Sequence, residues 1–470
     1  MIPTDLEEIR TVLDGRWVGR SSAARIEGVS IDSRTARGGE LFFAIRGEHF
    51  DGHDFLPAAA EAGCAGAVVS RHKPLADSVI ARFPAGLIAV EDTTQALGDL
   101  AGHVRGRISA RVVAVTGSNG KTTVKRMIHH ILRRRLTGSC SPKSFNNEIG
   151  VPLTLLAVGQ RDEYVVCEVG SNSLGEIAAL GRRVRPDIAV ITSVAETHLE
   201  KLGSLQQVAA EKASLLGSLA KRGTAIAWAD SPELADAMRP YGREVVLFGE
   251  SAAADLRLTG WERRGWGQRL EVNGRWTVDL PLPGRHNALN AMAAMAAARP
   301  FGLGLPEAAK ALADCPGGQM RLERIEAGAI TIINDAYNAN PASFAAAADV
   351  FAGCQAKRKV LVAGDMLELG GQARDLHLAT GRRLARCGAD LLIGVGPLGR
   401  YIAMGAAEGG LPTLAFDSPA QACQAVAELL QPGDLVLIKG SRALELERLI
   451  EPIRRCPAAG GGRDDRPAAD

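Results

Sequence analysis

No sign of charge dominates this sequence: 55 Lys+Arg stand against 53 Asp+Glu, a formal +2. That balance leaves no basic excess for a polyanion and argues against nucleic acid as a partner. One small anionic ligand would need only a local site. No stretch reaches the ~18 uninterrupted apolar residues of a membrane span, so none is expected. The opening MIPTDLEEIR is acidic and polar, unlike a secretory signal. Eight cysteines include no C-x-x-C pair, and several, such as Cys167 in YVVCEVG, read as small buried hydrophobes in strands. Together these absences point to a reducing cytoplasm. No short-period repeat is visible either.

What is present is an ordinary globular composition, 46% apolar and 23% charged. At roughly 150 residues per domain, 470 residues suggest about three. Residues 1–107 mix short strand patterns (VSIDSR, ELFFAIRG, AGAVVS, LIAVED) with turns. Residues 108–314 open on RVVAVTG and alternate strand with helix. Their strands YVVCEVG, DIAVITSV and AIAWAD are continuously apolar, as strands covered on both faces are. Between Leu256 and Leu282 an alternating pattern with Trp261, Trp266 and Trp276 predicts an antiparallel insertion whose tryptophans pack, and the helix NALNAMAAMAAA follows. Residues 315–456 run ITIINDAY, KVLVAGD, DLLIGVG, TLAFDS and DLVLIKGS with helical segments between, which predicts a parallel, doubly wound sheet. Residues 457–470 lack apolar periodicity and are expected to be a disordered tail. The fold class is α/β in three domains.

The strongest chemical signal is VTGSNGKTT at 115–123, where an apolar strand ends, a Gly-rich turn follows and a helix starts. Gly117 and Gly120, with Ser118 and Asn119 between them, let backbone N–H groups close around phosphate oxygens at a helix N-terminus. Lys121 would reach the β/γ-phosphates, and the hydroxyl of Thr122, ahead of Thr123, would ligate Mg²⁺. The loop is shorter than G-x-x-x-x-G-K-[ST], since Val115 holds the first glycine's place. Glu168 ends its strand, where open α/β sheets bind ligands, and is a candidate metal ligand. His198 is a candidate at a second metal, though a loop histidine is as readily structural. Lys212, in SLQQVAAEKASLL, reads from the residues alone as a snorkelling lysine. Asn146 and Asn147 could donate to phosphate or sugar, or form an Asx-turn before a helix. In NDAYNANP (334–341), Asp335 stands where a strand ends, and Asn334, Asn338 and Asn340 with Tyr337 make an unusually polar turn open to a ligand role. Arg321 in GGQMRLE could clamp a γ-phosphate across a domain boundary.

GSNGKTT, Glu168, THLE, EKASLL, GRHNALNA, MRLE and NDAYNANP, in this order, resemble the Mur ligases, ATP-dependent amide ligases of peptidoglycan precursor synthesis. The resemblance covers the chain except its tail. SFNNEIGVP, DAYNANP and GDMLELG (364–370), without a D-N-P-R, resemble the branch joining D-alanyl-D-alanine to UDP-N-acetylmuramoyl-tripeptide, not the one adding a diamino acid. The resemblance implies an N-terminal UDP-binding module, a central P-loop ATPase domain and a Rossmann-like C-terminal domain. It implies ATP and two Mg²⁺ ions as cofactors. Thr122 and Glu168 would hold metal; His198 and a carbamylated Lys212 would serve the second ion. Asn287 and Asn290 would approach the adenine side, and Arg321 and Asp335 would close over ATP. Lys121, His198, Lys212 and Arg321 would be the catalytic set. Asp32, Ser33 and Arg34 fall in the UDP-binding module, and Asn338, Asn340, Lys439 and Arg442 are candidates for the dipeptide end, where a carboxylate wants a cation. Ser193, Ala195 and Thr197 stand where relatives more often carry Asn, Gly and Ala; Ala195 would constrain that turn if it needs positive φ. Rival readings are the diamino-acid ligase, a folylpolyglutamate synthase, an ATP-hydrolysing switch and an inactive binding protein. Nothing demands an extra apolar interface, so a monomer is expected.

Overall fold

The computed structural model describes residues 1–456, so the expected tail at 457–470 lies outside the described residues. Three α/β sheets follow one another along the chain. The first has five strands in the order Arg16–Val18, Leu87–Val90, Gly66–Ser70, Leu41–Phe43, Val29–Ser30, parallel except for the first. VSIDSR contributes only two strand residues, because Asp32 Oδ1 accepts the Arg34 N–H at 3.0 Å and turns the chain.

The central sheet has nine strands. Gly138–Cys140, Tyr164–Glu168, Arg111–Thr116, Ile188–Ile191, Thr224–Trp228 and Val245–Gly249 run parallel, and their apolar side chains are covered by helices on both faces. The segment expected as an antiparallel insertion extends this sheet. Leu256–Arg264 first pairs parallel with Val245–Gly249 and then forms hairpins with Gly267–Val272 and Trp276–Leu280. Trp276 packs on the core beneath, while Trp266 meets the guanidinium of Arg324 at 5.8 Å. Trp261 departs from the packing expectation: it is 41% exposed, with its indole N–H on Gln268. The helix Arg285–Ala298 is buried almost throughout from Asn287 onward, its small alanines allowing close approach to the helix Lys121–Leu132.

The third sheet has the order Glu323–Ala327, Ile330–Asp335, Asp434–Lys439, Arg358–Gly364, Leu391–Val395, Thr413–Phe416, with only its first strand antiparallel. The edge strand Glu323–Ala327 and the short Gly138–Cys140 carry little of the apolar pattern that marks the others. Among the described residues, no helix is long and apolar enough to cross a membrane.

Candidate active site

The carboxyl end of Arg111–Thr116, an inner strand between Ile188–Ile191 and Tyr164–Glu168, opens a cavity of about 640 Å³ that the third domain closes from the other side. Two loop positions there admit only glycine. A Cβ on Gly117 (φ 142°) would stand 2.1 Å from Thr192 Oγ1, and one on Gly120 (φ 84°) would stand 2.4 Å from Asn290 Oδ1. Neither neighbour is free to move: Thr192 Oγ1 donates to Asn119 O at 2.5 Å, and Asn290 Nδ2 donates to Asn287 Oδ1 at 3.0 Å. Asn287 is fixed in turn on Pro283 O at 2.7 Å. The neighbouring strand's end braces the loop, with Ser118 N–H donating to Ser193 O and Asn119 N–H to Ser193 Oγ, both at 2.9 Å. Ala195 does not adopt positive φ, so the residue that stands in place of glycine brings no strain; the left-handed residue in this turn is His198, at φ 53°.

Lys121 starts the helix, and its ammonium folds back onto Gly117 O at 2.7 Å and Ser118 O at 3.3 Å. Burial pulls its pKa down while the Glu168 carboxylate opposes the shift. Glu168 is a buried hub: Oε2 accepts Thr122 Oγ1 at 2.9 Å and pairs with Lys125 Nζ at 3.1 Å, and Oε1 accepts Asn146 Nδ2 at 3.0 Å. Lys125 and Glu168 are each 1% exposed. The expected metal donors at Thr122 and Glu168 are therefore a hydroxyl and a carboxylate side by side, the hard oxygens that Mg²⁺ takes when phosphates and waters complete its shell. Among the described residues no group of three His, Cys, Asp or Glu side chains could hold a metal ion, and the hydroxyl–carboxylate pair fits an ion whose remaining ligands are phosphate and water oxygens. Lys212 does not snorkel; it is buried, with Nζ donating to Ser171 Oγ at 2.8 Å. Burial, reinforced by Lys121, pushes its pKa down to about 7.

The third domain supplies the opposite wall. Arg321 Nη2 donates to Thr122 Oγ1 at 2.9 Å, and its guanidinium lies over the Tyr337 ring at 4.0 Å. The residues either side, Met320 and Leu322, are both left-handed, at φ 53° and 51°. Such backbone costs roughly 1–2 kcal/mol per residue, and three contacts hold it. Asp335 Oδ1 accepts the Leu322 N–H at 3.0 Å, Glu323 Oε2 accepts the Met320 N–H at 2.9 Å, and Met320 O accepts the Tyr337 N–H at 3.2 Å. The other Asp335 oxygen binds Lys439 Nζ at 2.6 Å, so the buried Lys439 faces the cavity already paired. Asn340 caps the helix Pro341–Ala352 and shares amide hydrogen bonds with Asn119 across the domain boundary, Nδ2 to Oδ1 at 2.8 Å. Arg442 lines the cavity and pairs with Glu447; Asn338 lines it too. Asn147 is off the cavity, its Oδ1 accepting the Gly150 N–H at 2.9 Å in the turn arrangement. Asp32, Ser33 and Arg34 lie elsewhere, with Arg34 bonded to Asp32 at 2.7 Å.

Sequence reasoning missed Lys125, Ser171, His286 and Glu368, and it marked Tyr337 only as part of a polar turn, not as the platform under Arg321. Lys125 was marked by standing three after Thr122 on one helix face, and Glu368 sits inside the GDMLELG segment. His286 lines the cavity, and burial pushes its pKa down to about 4, so it is neutral near pH 7.

A phosphate loop in one α/β domain, closed by an arginine from a second, defines a nucleotide-dependent enzyme of two-domain closure, and the comparisons place it. Profiles for the Mur ligase family catalytic domain, the Mur ligase middle domain and the Mur ligase glutamate ligase domain match residues 25–105, 115–298 and 320–442. The chain belongs to the Mur ligase family. It is similar to the UDP-N-acetylmuramoyl-tripeptide–D-alanyl-D-alanine ligase of Bacillus subtilis (strain 168), 37% identical over 441 residues that cover 92% of this chain and 94% of that one. Its fold matches a crystal structure of MurF from Acinetobacter baumannii with TM-score 0.85 and 31% identity, covering 96% of this chain and 99% of that chain. A MurF ligase from Thermotoga maritima in complex with ADP matches at TM-score 0.79 and 27% identity, over 91% and 97% of the two chains.

Proposed function

We propose that this chain is the ATP-dependent ligase that joins D-alanyl-D-alanine to UDP-N-acetylmuramoyl-tripeptide, giving the pentapeptide precursor of peptidoglycan. The observation that carries the reading is the convergence of Lys121, the Thr122–Glu168 pair and Arg321 in one cavity drawn from two domains. A carboxylate is a poor electrophile. The tripeptide's terminal carboxylate attacks the γ-phosphorus of ATP, ADP leaves, and an acyl phosphate forms. The dipeptide amine then attacks the acyl carbon, its nitrogen gives up a proton to solvent, and phosphate leaves as the amide closes.

Both partners of the first step are anions, so the protein's work is to gather cations and exclude water. Lys121, released from the Gly117 and Ser118 carbonyls, turns to the phosphates. Arg321, held flat on Tyr337, meets the transferred group. Thr122 and Glu168 would hold Mg²⁺, which would supply neutralising charge to the transferring phosphoryl group. Asn287 and Asn290 back the loop on the adenine side, and Asp335 fixes the turn carrying Arg321. Lys212 is read as a carbamate: its buried amine, drawn down to about 7, is substantially neutral near pH 7. The neutral nitrogen bonds to CO₂, a proton leaves to solvent, and the resulting anion, with His198, suits a second cation. Asp32, Ser33 and Arg34 are assigned to the UDP end. Arg442 and Asn338 are assigned to the dipeptide, with Asn146 and Asn147 on the approach and Lys439 and Asn340 shaping the wall. Domain limits near 107 and 314 are part of this reading, as are a monomer and a cytoplasmic location, where ATP is available.

The test is phosphate release from ATP with UDP-N-acetylmuramoyl-tripeptide, comparing D-alanyl-D-alanine, a free diamino acid and no amine. Release that depends on the dipeptide, with the pentapeptide seen by mass, supports the reading. Release with the diamino acid instead moves the chain to the sister ligase, and release without any amine makes it a hydrolytic switch. Arg442→Ala is expected to raise the KM for the dipeptide far more than that for ATP; equal changes would remove Arg442 from the dipeptide end.

A further inference from the structure

The segment GDMLELG enters the cavity in a fixed shape and is not used by the chemistry above. Asp365 Oδ1 accepts the N–H groups of Leu398 at 2.9 Å and Gly399 at 2.6 Å. The buried His377 accepts the Met366 N–H on Nε2 at 2.8 Å, and Ser441 Oγ accepts the Leu367 N–H at 2.9 Å. Leu369 is buried in the third domain's core. Held at these points, the segment carries Glu368 in a left-handed conformation, φ 63°, against the central domain. There it makes two contacts with a single short stretch. Its carbonyl oxygen accepts the Glu200 N–H at 3.2 Å, and Oε2 lies 2.5 Å from Nδ1 of His198. Gly370, at φ 58°, lets the chains touch, since a Cβ would stand 3.0 Å from Glu200 Cα.

His198 is itself left-handed, and its buried Nδ1 has no hydrogen-bond partner of its own domain, which leaves the Glu368 carboxylate as the group beside it. Two left-handed residues on different domains thus face each other. Carboxylates that hold one imidazole nitrogen fix the tautomer and leave the other nitrogen to bind a metal.

We propose that Glu368 is a positioning residue for His198, delivered by the C-terminal domain, which holds the ring through Nδ1–H and leaves Nε2 to face the cavity. The histidine is then set for its cation only when the two domains are together, so closure and metal-site assembly are one event. The inference rests on the reading of His198 as a cation ligand, and its test separates the two.

The wild-type full chain, Glu368→Gln and Glu368→Ala are labelled with ¹⁵N-histidine and observed without metal at about pH 8.5, some two units above an ordinary imidazole pKa. His198→Gln assigns the signal among nine histidines. Mn²⁺ is then titrated into each protein with ADP present. The expected result is an Nδ1–H tautomer in the wild type, a shift toward the common Nε2–H form in both variants, and a Mn²⁺ half-saturation raised about tenfold or more, as loss of a supporting carboxylate does. An unchanged tautomer in Glu368→Ala overturns the inference whatever the metal does. A changed tautomer with unchanged Mn²⁺ binding keeps Glu368 as the residue that orients His198 and overturns the metal role of His198 instead.

Discussion

The two walls of the cavity are built by opposite means. The central wall is local: a run of nine residues, 115–123, folds into a loop whose two glycines are demanded by neighbours at 2.1 and 2.4 Å. The C-terminal wall is assembled from three distant segments around 320, 335 and 368, each pinned by long-range hydrogen bonds. Its strain falls on residues other than glycine, Met320, Leu322 and Glu368. A local loop can be ready before any partner arrives. A wall of pinned residues with left-handed backbone holds its shape only while the fold around it is intact, which suits groups that must act on closure and not before.

That contrast is open to attack by substitution, and the largest effect is expected at the catalytic cations. Lys121→Ala should lower kcat by about 10³-fold or more, with ADP affinity falling as well. Arg321→Ala should lower kcat by a comparable factor while ADP binding, measured by calorimetry, stays close to wild type. If both variants lose ADP equally, the walls do not divide the work as described.

Next comes the buried pair behind the loop. Lys125→Met leaves Glu168 buried without its counter-charge, and stability should fall by about 3–5 kcal/mol. Scanning calorimetry should see this in the central domain's transition; an unchanged midpoint would mean Glu168 is satisfied without Lys125.

Lys212 sharpens the comparison by pH. Its amine is drawn from 10.5 to about 7, so the cost of burying its charge is full below about pH 7 and fades as pH rises toward 10.5. Relative to Lys212→Met, the wild type should gain stability across that window, because the unfolded chain then holds the extra proton. Under ¹³CO₂ a carbamate resonance should grow as pH rises through about 7. A flat difference between the two proteins, with no such resonance, would leave Lys212 as a buried amine bonded to Ser171 and nothing more.

The smallest effect is expected at the seam. Gly370→Ala forces a Cβ toward Glu200 at positive φ, a penalty of about 1 kcal/mol. It should lower kcat by up to about tenfold and leave ADP affinity alone; weakened ADP binding would show that the seam supports the loop directly.

Legibility in the sequence follows the same division. The parallel strands were readable because burial on both faces makes them continuously apolar, and VTGSNGKTT was readable because a phosphate loop is one contiguous piece of backbone chemistry. Gly138–Cys140 and Glu323–Ala327 were not, since edge and short strands carry no such run. The roles of Leu322 and Tyr337 depend on a turn and a strand end meeting across 13 to 17 residues, and no local spacing records them. Glu368 was visible only as part of a segment typical of relatives; what it touches was decided by the packing of two domains. Lys212 illustrates the limit most sharply: its flanking residues give a surface lysine, and the fold buries it.

The central claim is that both walls together transfer a phosphoryl group to the tripeptide carboxylate. It is tested most directly by labelling both oxygens of that carboxylate with ¹⁸O and following the label through one turnover with ATP and D-alanyl-D-alanine. The account predicts one ¹⁸O in the released phosphate and the other in the new amide, with transfer slowed about 10³-fold in Arg321→Ala. Released phosphate free of ¹⁸O, with the pentapeptide still formed, would contradict it.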